Sequence, residues 1–384
     1  MTGTSHQNMR LVSISKIVDA MRNGATIKSE IFQMTGLSWG ACNTITNELN
    51  AAKIIKSVLS KDDTVRGRNK TKYSFNRKEF LIFGVEPRVD EVLCSITTLG
   101  NEEIFRKIYP QKNELNINTI QEAVISSYID SLINAKIKSD SIIAICFALA
   151  GGVDSNNLKW LNSPRIDGID NYDFKDILKM FSNIKYHFIE HDIHAKASSV
   201  VKFNNWDEDD YVFIDLGRGV ASSIFTNGIL HGSRGFAGEI GNIPYMAPVA
   251  NSEIMHVEQA ISLSGLTEFV NWKFNTKYKS FSEISLDIFQ SEEYLNHVYR
   301  IIEYIVIVTT NILDPATIII GGSSIEPIFD VITSRIEKNV RSKTWNNGPD
   351  KILWYHENEV YGAYGTIINN NEEVTNKIIA DFLL

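Results

Sequence analysis

Residue types capable of chemistry gather in three stretches of the sequence. In Phe188-Ile-Glu-His-Asp-Ile-His-Ala-Lys-Ala197 an apolar strand ends in polar residues and a helix begins at once. A carboxylate there lies at a sheet edge near a helix N-terminus, where ligands of open α/β sheets collect. From Tyr211 to Asn242 runs a glycine-punctuated hairpin and then a glycine-rich loop carrying Glu239. Both stretches serve equally well as a helix cap and ordinary turns. The third stretch is amino-terminal. Trp39, Gly40, Asn43, Thr44 and Asn47 form the outer face of a short helix capped by Ser38. Asn binds adenine edges, and Ser or Thr reaches bases or phosphates, so this face suits a major groove. Arg66-Gly67-Arg68 follows. It is either a solvated turn or a flexible cationic tip for a narrow minor groove.

Positioning these residues needs particular elements. Leu11, Ile14, Ile17, Val18 and Met21 make one helical stripe ahead of Asn23-Gly24, which predicts an amphipathic first helix. A second helix fits Thr26 to Met34, with Thr26 as a possible cap and Gly36 as the turn. The third buries Cys42, Ile45 and Leu49 at i, i+3 and i+7. Trp39 either faces the groove or plugs against the first helix. Two β-rich stretches, Ile54 to Leu59 and Thr71 to Phe75, then flank a basic tip and predict a wing. From Phe80 onward apolar runs alternate with helical ones, which argues for an α/β body. Expected strands are Phe80 to Val85, Ile142 to Leu149, Tyr186 to Ile189, Tyr211 to Leu216 and Thr317 to Ile320. Expected helices are Thr119 to Ala135, His194 to Lys202, Ile254 to Leu263, Glu293 to Asn311 and Ile325 to Lys338.

The whole chain is consistent with this division. Its 384 residues, at roughly 150 per domain, suggest two or three domains. With 43% apolar and 22% charged residues it is neither disordered nor fibrous. Residues 1–80 carry 13 Lys/Arg against 6 Asp/Glu, a net of +7, so the remaining −15 of the total −8 belongs to residues 81–384. A basic head on an acidic body points to nucleic acid at one end. Cys42, Cys94 and Cys146 are few and far apart, which speaks against a disulfide framework or a thiolate zinc site. Apolar runs such as Ile142 to Ala150 are too short to span a bilayer, so a cytoplasmic location is expected.

Taken together, these stretches resemble the ROK family of repressors and sugar kinases from about residue 8 to 368. The head is similar to the winged helix of its sugar-responsive repressors at Met34-Thr-Gly-Leu-Ser38 and at Arg66-Gly-Arg68. The body is similar at Gly151-Gly-Val-Asp154, Glu190-His-Asp192, Gly228 with Gly232, Gly238-Glu-Ile-Gly241 and Leu313-Asp-Pro-Ala-Thr-Ile-Ile-Ile-Gly-Gly322. The resemblance implies an α/β fold: an N-terminal winged helix-turn-helix over residues 1–80, then a two-lobed sugar-kinase/actin-like, ribonuclease H-like body over residues 81–384. Lobe one would take about 81–190 plus the C-terminal helix, and lobe two about 191–368. It also implies dimers or tetramers and a ligand between the lobes.

Several family motifs are altered. The first phosphate loop, Asp-x-Gly-Gly-Thr in the kinases, aligns with Gly84-Val-Glu-Pro-Arg-Val-Asp90. Pro87 removes an N–H donor, and Arg88 and Val89 stand where glycines let the backbone close on an anion. The second, Gly-Thr-Gly, reads Gly217-Arg218-Gly219, and Asn242 replaces the zinc-ligating histidine. No metal, cofactor or catalytic residue is therefore expected, and Asp192 becomes a vestigial base. Family sugar-binding positions fall on His191, Asp192, Glu239, Asn242 and Glu258, where carboxylates suit a hydroxylated ligand. DNA contacts fall on Ser38, Trp39, Asn43, Thr44, Asn47, Arg66 and Arg68. The expectation is a DNA-binding repressor of carbohydrate genes that responds to a sugar or sugar phosphate. A residual sugar kinase and a regulator controlled by a protein partner are the alternatives.

Overall fold

The computed structural model describes residues 2–60, 70–232, 237–246, 254–345 and 348–383. Arg66 and Arg68 of the expected basic tip lie outside the described residues. Three helices open the chain: α1 (Thr2–Arg22), α2 (Lys28–Thr35) and α3 (Trp39–Ala51). They pack because the stripe of α1 is apolar: Ile14, Ile17, Val18 and Met21 are all buried, as are Cys42, Ile45 and Leu49 of α3. The cap of α2 differs from expectation. Ile27 is the N-cap, and the carboxylate of Glu30 accepts the N–H groups of Thr26 and Ile27 at 2.7 and 3.2 Å. Thr26 is drawn away because its carbonyl accepts from Tyr73 N–H at 2.7 Å. Gly36, at φ 65°, ends α2 in a left-handed turn that favours glycine. Ser38 Oγ caps α3, accepting from Ala41 N–H at 3.2 Å. Strands β1 (Ile55–Ser60) and β2 (Lys70–Phe75) then pair antiparallel as the wing.

The body continues with β3 (Leu81–Pro87), β4 (Glu91–Thr97), β5 (Glu103–Pro110), α4 (Ile120–Ala135) and β6 (Ile142–Leu149). A small antiparallel sheet follows, β7 (Val153–Asp154), β8 (Lys159–Asn162) and β9 (Asp170–Asp173), then α5 (Lys175–Leu178), β10 (Tyr186–His191) and α6 (Asp192–Phe203). The main sheet has the order β10-β6-β3-β4-β5. Its β3–β4–β5 meander is antiparallel, whereas β6 and β10 join in parallel. Every residue of β3 is buried, as befits a strand covered on both faces.

A second sheet repeats that plan. It takes β11 (Tyr211–Leu216), β12 (Val220–Thr226) and β13 (Ile229–Leu230), followed by the short pair β14 (Pro244–Met246) and β15 (Ile254–His256). Next come α7 (Val257–Ile261), α8 (Leu263–Phe274), α9 (Leu286–Phe289), α10 (Glu292–Leu313), β16 (Thr317–Gly321), α11 (Phe329–Lys343) and β17 (Lys351–Tyr355). The order is β13-β12-β11-β16-β17, with the meander antiparallel and β16 and β17 parallel. The helix expected from Ile254 begins only at Val257. Residues Ile254–His256 instead pair with Pro244–Met246, because Gln259 Oε1 accepts His256 N–H at 2.8 Å and fixes the helix start there.

The final helix, α12 (Gly362–Phe382), returns to the first sheet. The chain thus forms two compact units, Met1–Ser198 with Gly362–Leu384, and Ser199–Tyr361. Within the first, α12 lies so close to β3 that a Cβ at Gly84 would strike the carbonyl of Ala363. It also carries Ile367, Val374, Ile378 and Ile379 into one buried cluster with Ile14, Ile17, Val18 and Met21 of α1. Each such side chain contributes about 1.5–3 kcal/mol on burial. Arg22, at the end of α1, completes the joint. Its Nε donates to Leu99 O at 2.9 Å, and its Nη2 donates to Asn371 Oδ1 at 2.9 Å and Thr375 Oγ1 at 2.5 Å. Burial lowers the Arg22 pKa, and Asp19 at 3.1 Å partly offsets that.

Candidate functional site

The candidate DNA-reading face is an exposed helix surface set beside the wing. Asn43, Thr44 and Asn47 of α3 are exposed, while Thr46, Cys42, Ile45 and Leu49 point inward. Trp39 is not plugged against α1. It is 54% exposed and meets the ring of Phe32 edge-on, with centroids 5.9 Å apart, so it rests on α2 and not on α1. Lys28, which the sequence reading passed over, donates to the side-chain oxygens of Asn43 and Asn47.

The candidate ligand-binding residues divide between the two units. His191 and Asp192 belong to the first, and Glu239, Asn242 and Glu258 to the second. In the first unit β10 is an edge strand, and α6 begins at Asp192. That spacing places Lys196 one turn on, where i,i+4 neighbours meet. Lys196 Nζ lies 3.1 Å from Asp192 Oδ2, and His191 Nε2 lies 3.4 Å from Oδ1. All of these side chains are nearly buried, Lys196 and Asp192 at 8% and 10% exposure. Burial alone would raise the Asp192 pKa, but Lys196, His191 and Arg165 together hold it well below the usual carboxylate range. Asp192 is therefore an ion-paired anion. A general base needs a pKa near the working pH, and this carboxylate has the opposite tuning.

Beside it, His194 stacks edge-on against His191 at 5.3 Å, and burial and the His191 charge push its pKa down to about 3. Glu190, two residues before Asp192, goes the other way. Burial raises its carboxyl to about 7, against the pull of Thr366, Asn369 and Asn370 of α12. Asn369 and Asn370 donate to it at 2.8 and 3.3 Å. Lys196, Arg165 and His194 were absent from the sequence-derived set. The i,i+4 spacing was the available signal for Lys196, whereas Arg165 comes from a distant loop.

In the second unit Gly238 supplies the turn that presents Glu239. It sits at φ 92°, and any Cβ there would strike the carbonyl of Ser222. Asn242 Nδ2 donates to Glu239 Oε2 at 3.1 Å, and Asn242 O lies 2.8 Å from His256 Nδ1. Glu258, on α7, accepts from Val220 N–H at 2.9 Å. Glu239 and Asn242 are thus directly linked, and Glu258 is tethered to the β11–β12 hairpin. His256 was missed, since it lies just before the motif that drew notice to Glu258.

The regions aligned with phosphate loops are filled by the protein's own groups. Between β3 and β4, Arg88 folds back onto Glu86, with Nε 2.7 Å from Oε1, and also lies 3.1 Å from Glu91. Glu86 is 1% exposed and accepts Gly362 N–H at 2.9 Å. The Arg88 guanidinium is thereby engaged by two carboxylates of the adjoining strands. At the second loop Gly217 N–H donates to Gly219 O at 2.9 Å, with Arg218 exposed between them. Cys42, Cys94 and Cys146 are all buried and none is in a disulfide, and burial raises Cys94 to about 12. Among the described residues no three His, Cys, Asp or Glu side chains gather to hold a metal ion. No described helix is long and apolar enough to cross a membrane.

The curated xylose repressor of Caldicellulosiruptor bescii is 22% identical over an alignment 249 residues long, which covers 61% of this chain and 57% of that protein. The match thus spans little more than half of the repressor's length. Among solved structures, a ROK family transcriptional regulator described as a homolog of the E. coli MLC protein has a TM-score of 0.76 at 16% identity, covering 96% of this chain and 98% of its own. A ROK hexokinase from Thermus thermophilus has a TM-score of 0.62 at 15% identity. It is matched over 100% of its length yet accounts for only 77% of this chain. The likeness to both structures is one of fold: the hexokinase accounts for about three quarters of the chain, and the regulator for nearly all of it. The ROK family model matches residues 98–369, most of the length, and the chain belongs to the ROK family.

Proposed function

We propose that this chain is a DNA-binding transcriptional regulator, a repressor of carbohydrate uptake or catabolism genes acting in the cytoplasm. Residues 1–80 serve as the DNA-reading domain and residues 81–384 as a sugar-kinase-like sensor. Its two lobes correspond to about 81–190 with the C-terminal helix and about 191–368. The observation that carries this reading is the joint between α1 and α12: the head shares an apolar cluster and the Arg22 hydrogen bonds with the body. A change in the body therefore reaches the head through packed structure. His191, Asp192, Glu239, Asn242 and Glu258 bind a sugar or sugar phosphate, and Ser38, Trp39, Asn43, Thr44, Asn47, Arg66 and Arg68 contact duplex DNA. A dimer or tetramer presents two heads to two half-sites. The effector acts by binding one body conformation better than another, since equal affinity for both shifts nothing.

Phosphoryl transfer is not part of the reading, because Glu86 and Arg88 fill the first loop and Lys196 engages Asp192. The test couples two assays on the full chain. Sequence-selective duplex binding that weakens with added salt and is reversed by a member of a sugar and sugar-phosphate panel is the expected result. Asp192-dependent ADP formation with any sugar of that panel would refute the reading in favour of a kinase.

A further inference from the structure

The two exposed amides of α3 are held in one orientation. Lys28, in the first turn of α2, reaches across to α3, where its Nζ lies 2.5 Å from Asn43 Oδ1 and 3.2 Å from Asn47 Oδ1. The ring of Tyr73 from the wing stands behind it, with its centroid 5.6 Å from Nζ. That ring is fixed in turn, since Tyr73 is 6% exposed and its N–H donates to Thr26 O. Lys28 itself is half-buried. One cation thus ties together the helix before the turn, the helix after it and the wing.

Chemistry settles which end of each amide faces the lysine. An ammonium has three donors and no acceptor, so only a carbonyl oxygen can meet it. Both NH2 groups are thereby turned away from Lys28. An unconstrained Asn reads adenine with both ends, donating to N7 and accepting from N6. Here each oxygen already accepts from a cation, and an incoming N6–H would have to approach beside that positive charge. Donation remains: adenine offers N7 but sets its N6–H2 donor beside it, whereas guanine N7 with O6 and thymine O4 offer acceptors without a competing donor. The Lys28 charge adds to the same preference.

Resting on the DNA-binding reading above, we propose that Lys28 is a specificity-setting residue. It makes Asn43 and Asn47 read by donation, which favours guanine or thymine edges over adenine.

The test begins with selection of duplexes by the full chain from a randomised library. Positions read by the two amides are those whose base preference disappears in Asn43→Ala or Asn47→Ala. At these positions the wild-type chain is expected to favour guanine or thymine over adenine about tenfold. Lys28→Met, which keeps the apolar stem, is expected to bring adenine within about twofold of guanine. The wild-type chain supplies a further arm: 7-deazaguanine, or a thymine analogue lacking O4, at a read position should weaken binding about tenfold. Adenine preferred by the wild type, a folded Lys28→Met with unchanged preference, or no position assignable to either amide overturns the proposal while DNA binding stands. If Lys28→Met does not fold, the wild-type preference and the analogue arm decide. A chain that selects no duplex overturns the DNA-binding reading itself, and this proposal with it.

Discussion

Replacing Arg22 by Met tests whether the head is locked to the body. The substitution keeps an apolar stem and removes the guanidinium donors that reach Leu99 O, Asn371 Oδ1 and Thr375 Oγ1. Hydrogen bonds to a charged group are worth about 1.5–3 kcal/mol each. The full sum is not lost, because each of the three acceptors keeps a second interaction. Leu99 O still accepts from Asn371 Nδ2 at 3.1 Å, and Thr375 Oγ1 still donates to Asn371 Oδ1 at 3.2 Å. Asp19 adds little, since its side chain is 53% exposed and such pairs are worth about 0–1 kcal/mol. Met also avoids the cost of burying a charge. The net expectation is a loss of about 3 kcal/mol, or roughly 6–12 °C in the transition of a unit of this size. Urea unfolding of the first unit, followed together with amide exchange in α1, measures it. The joint predicts faster exchange in α1 as well as lower stability. A change below about 0.5 kcal/mol, with exchange in α1 unaltered, would show that Arg22 does not fasten the head.

Three further outcomes follow from the site. Lys196→Met leaves Asp192 buried without its lysine partner, which should cost about 3–5 kcal/mol in a urea titration; a neutral or stabilising result would mean that the carboxylate is solvated. His194, lowered to about 3, and His297, lowered to about 4 by burial, should both remain neutral at pH 5 in imidazole NMR spectra. Since the unfolded chain protonates these rings near 6.5, their contribution to stability is present above that value and is lost as pH falls towards the folded values. Glu190 has the reverse sign: its folded pKa of about 7 exceeds the ordinary 4.5, so its contribution is present below 4.5 and is lost as pH rises through about 7. Glu190→Gln should abolish that alkaline decline in a pH series of melts, and a decline that persists unchanged assigns it to another group.

The sequence made the local elements of the head legible because each has a local cause. Apolar spacing marked α1 and α3, Ser38 marked a cap and Gly36 a turn. Strands such as Ile142–Leu149 and Tyr211–Leu216 were visible as continuous apolar runs. What escaped was set by long-range partners. Thr26 loses its capping role to a wing strand some 45 residues away in sequence, and Ile254–His256 becomes a strand because Pro244–Met246 pairs with it. The site shows the same division. Asp192 and Glu239 stand out by motif, whereas the charge balance around Asp192 depends on Arg165 from a separate loop and on Lys196 one helical turn on. Likewise the filling of the first phosphate loop was foreseeable from Pro87 and Arg88, but the buried Glu86 that pairs with Arg88 became apparent only when α12 was seen to close over it.

The central claim is that a sugar-kinase-like body governs a DNA-reading head. Its most direct measurement is retention of fragmented host genomic DNA on the purified full chain, with and without each member of a carbohydrate panel. The account predicts a small set of retained fragments, released by one sugar or sugar phosphate and no longer selected once Asn43 and Asn47 are replaced by Ala. Retention without sequence preference, or a selected set that no member of the panel releases, would contradict it.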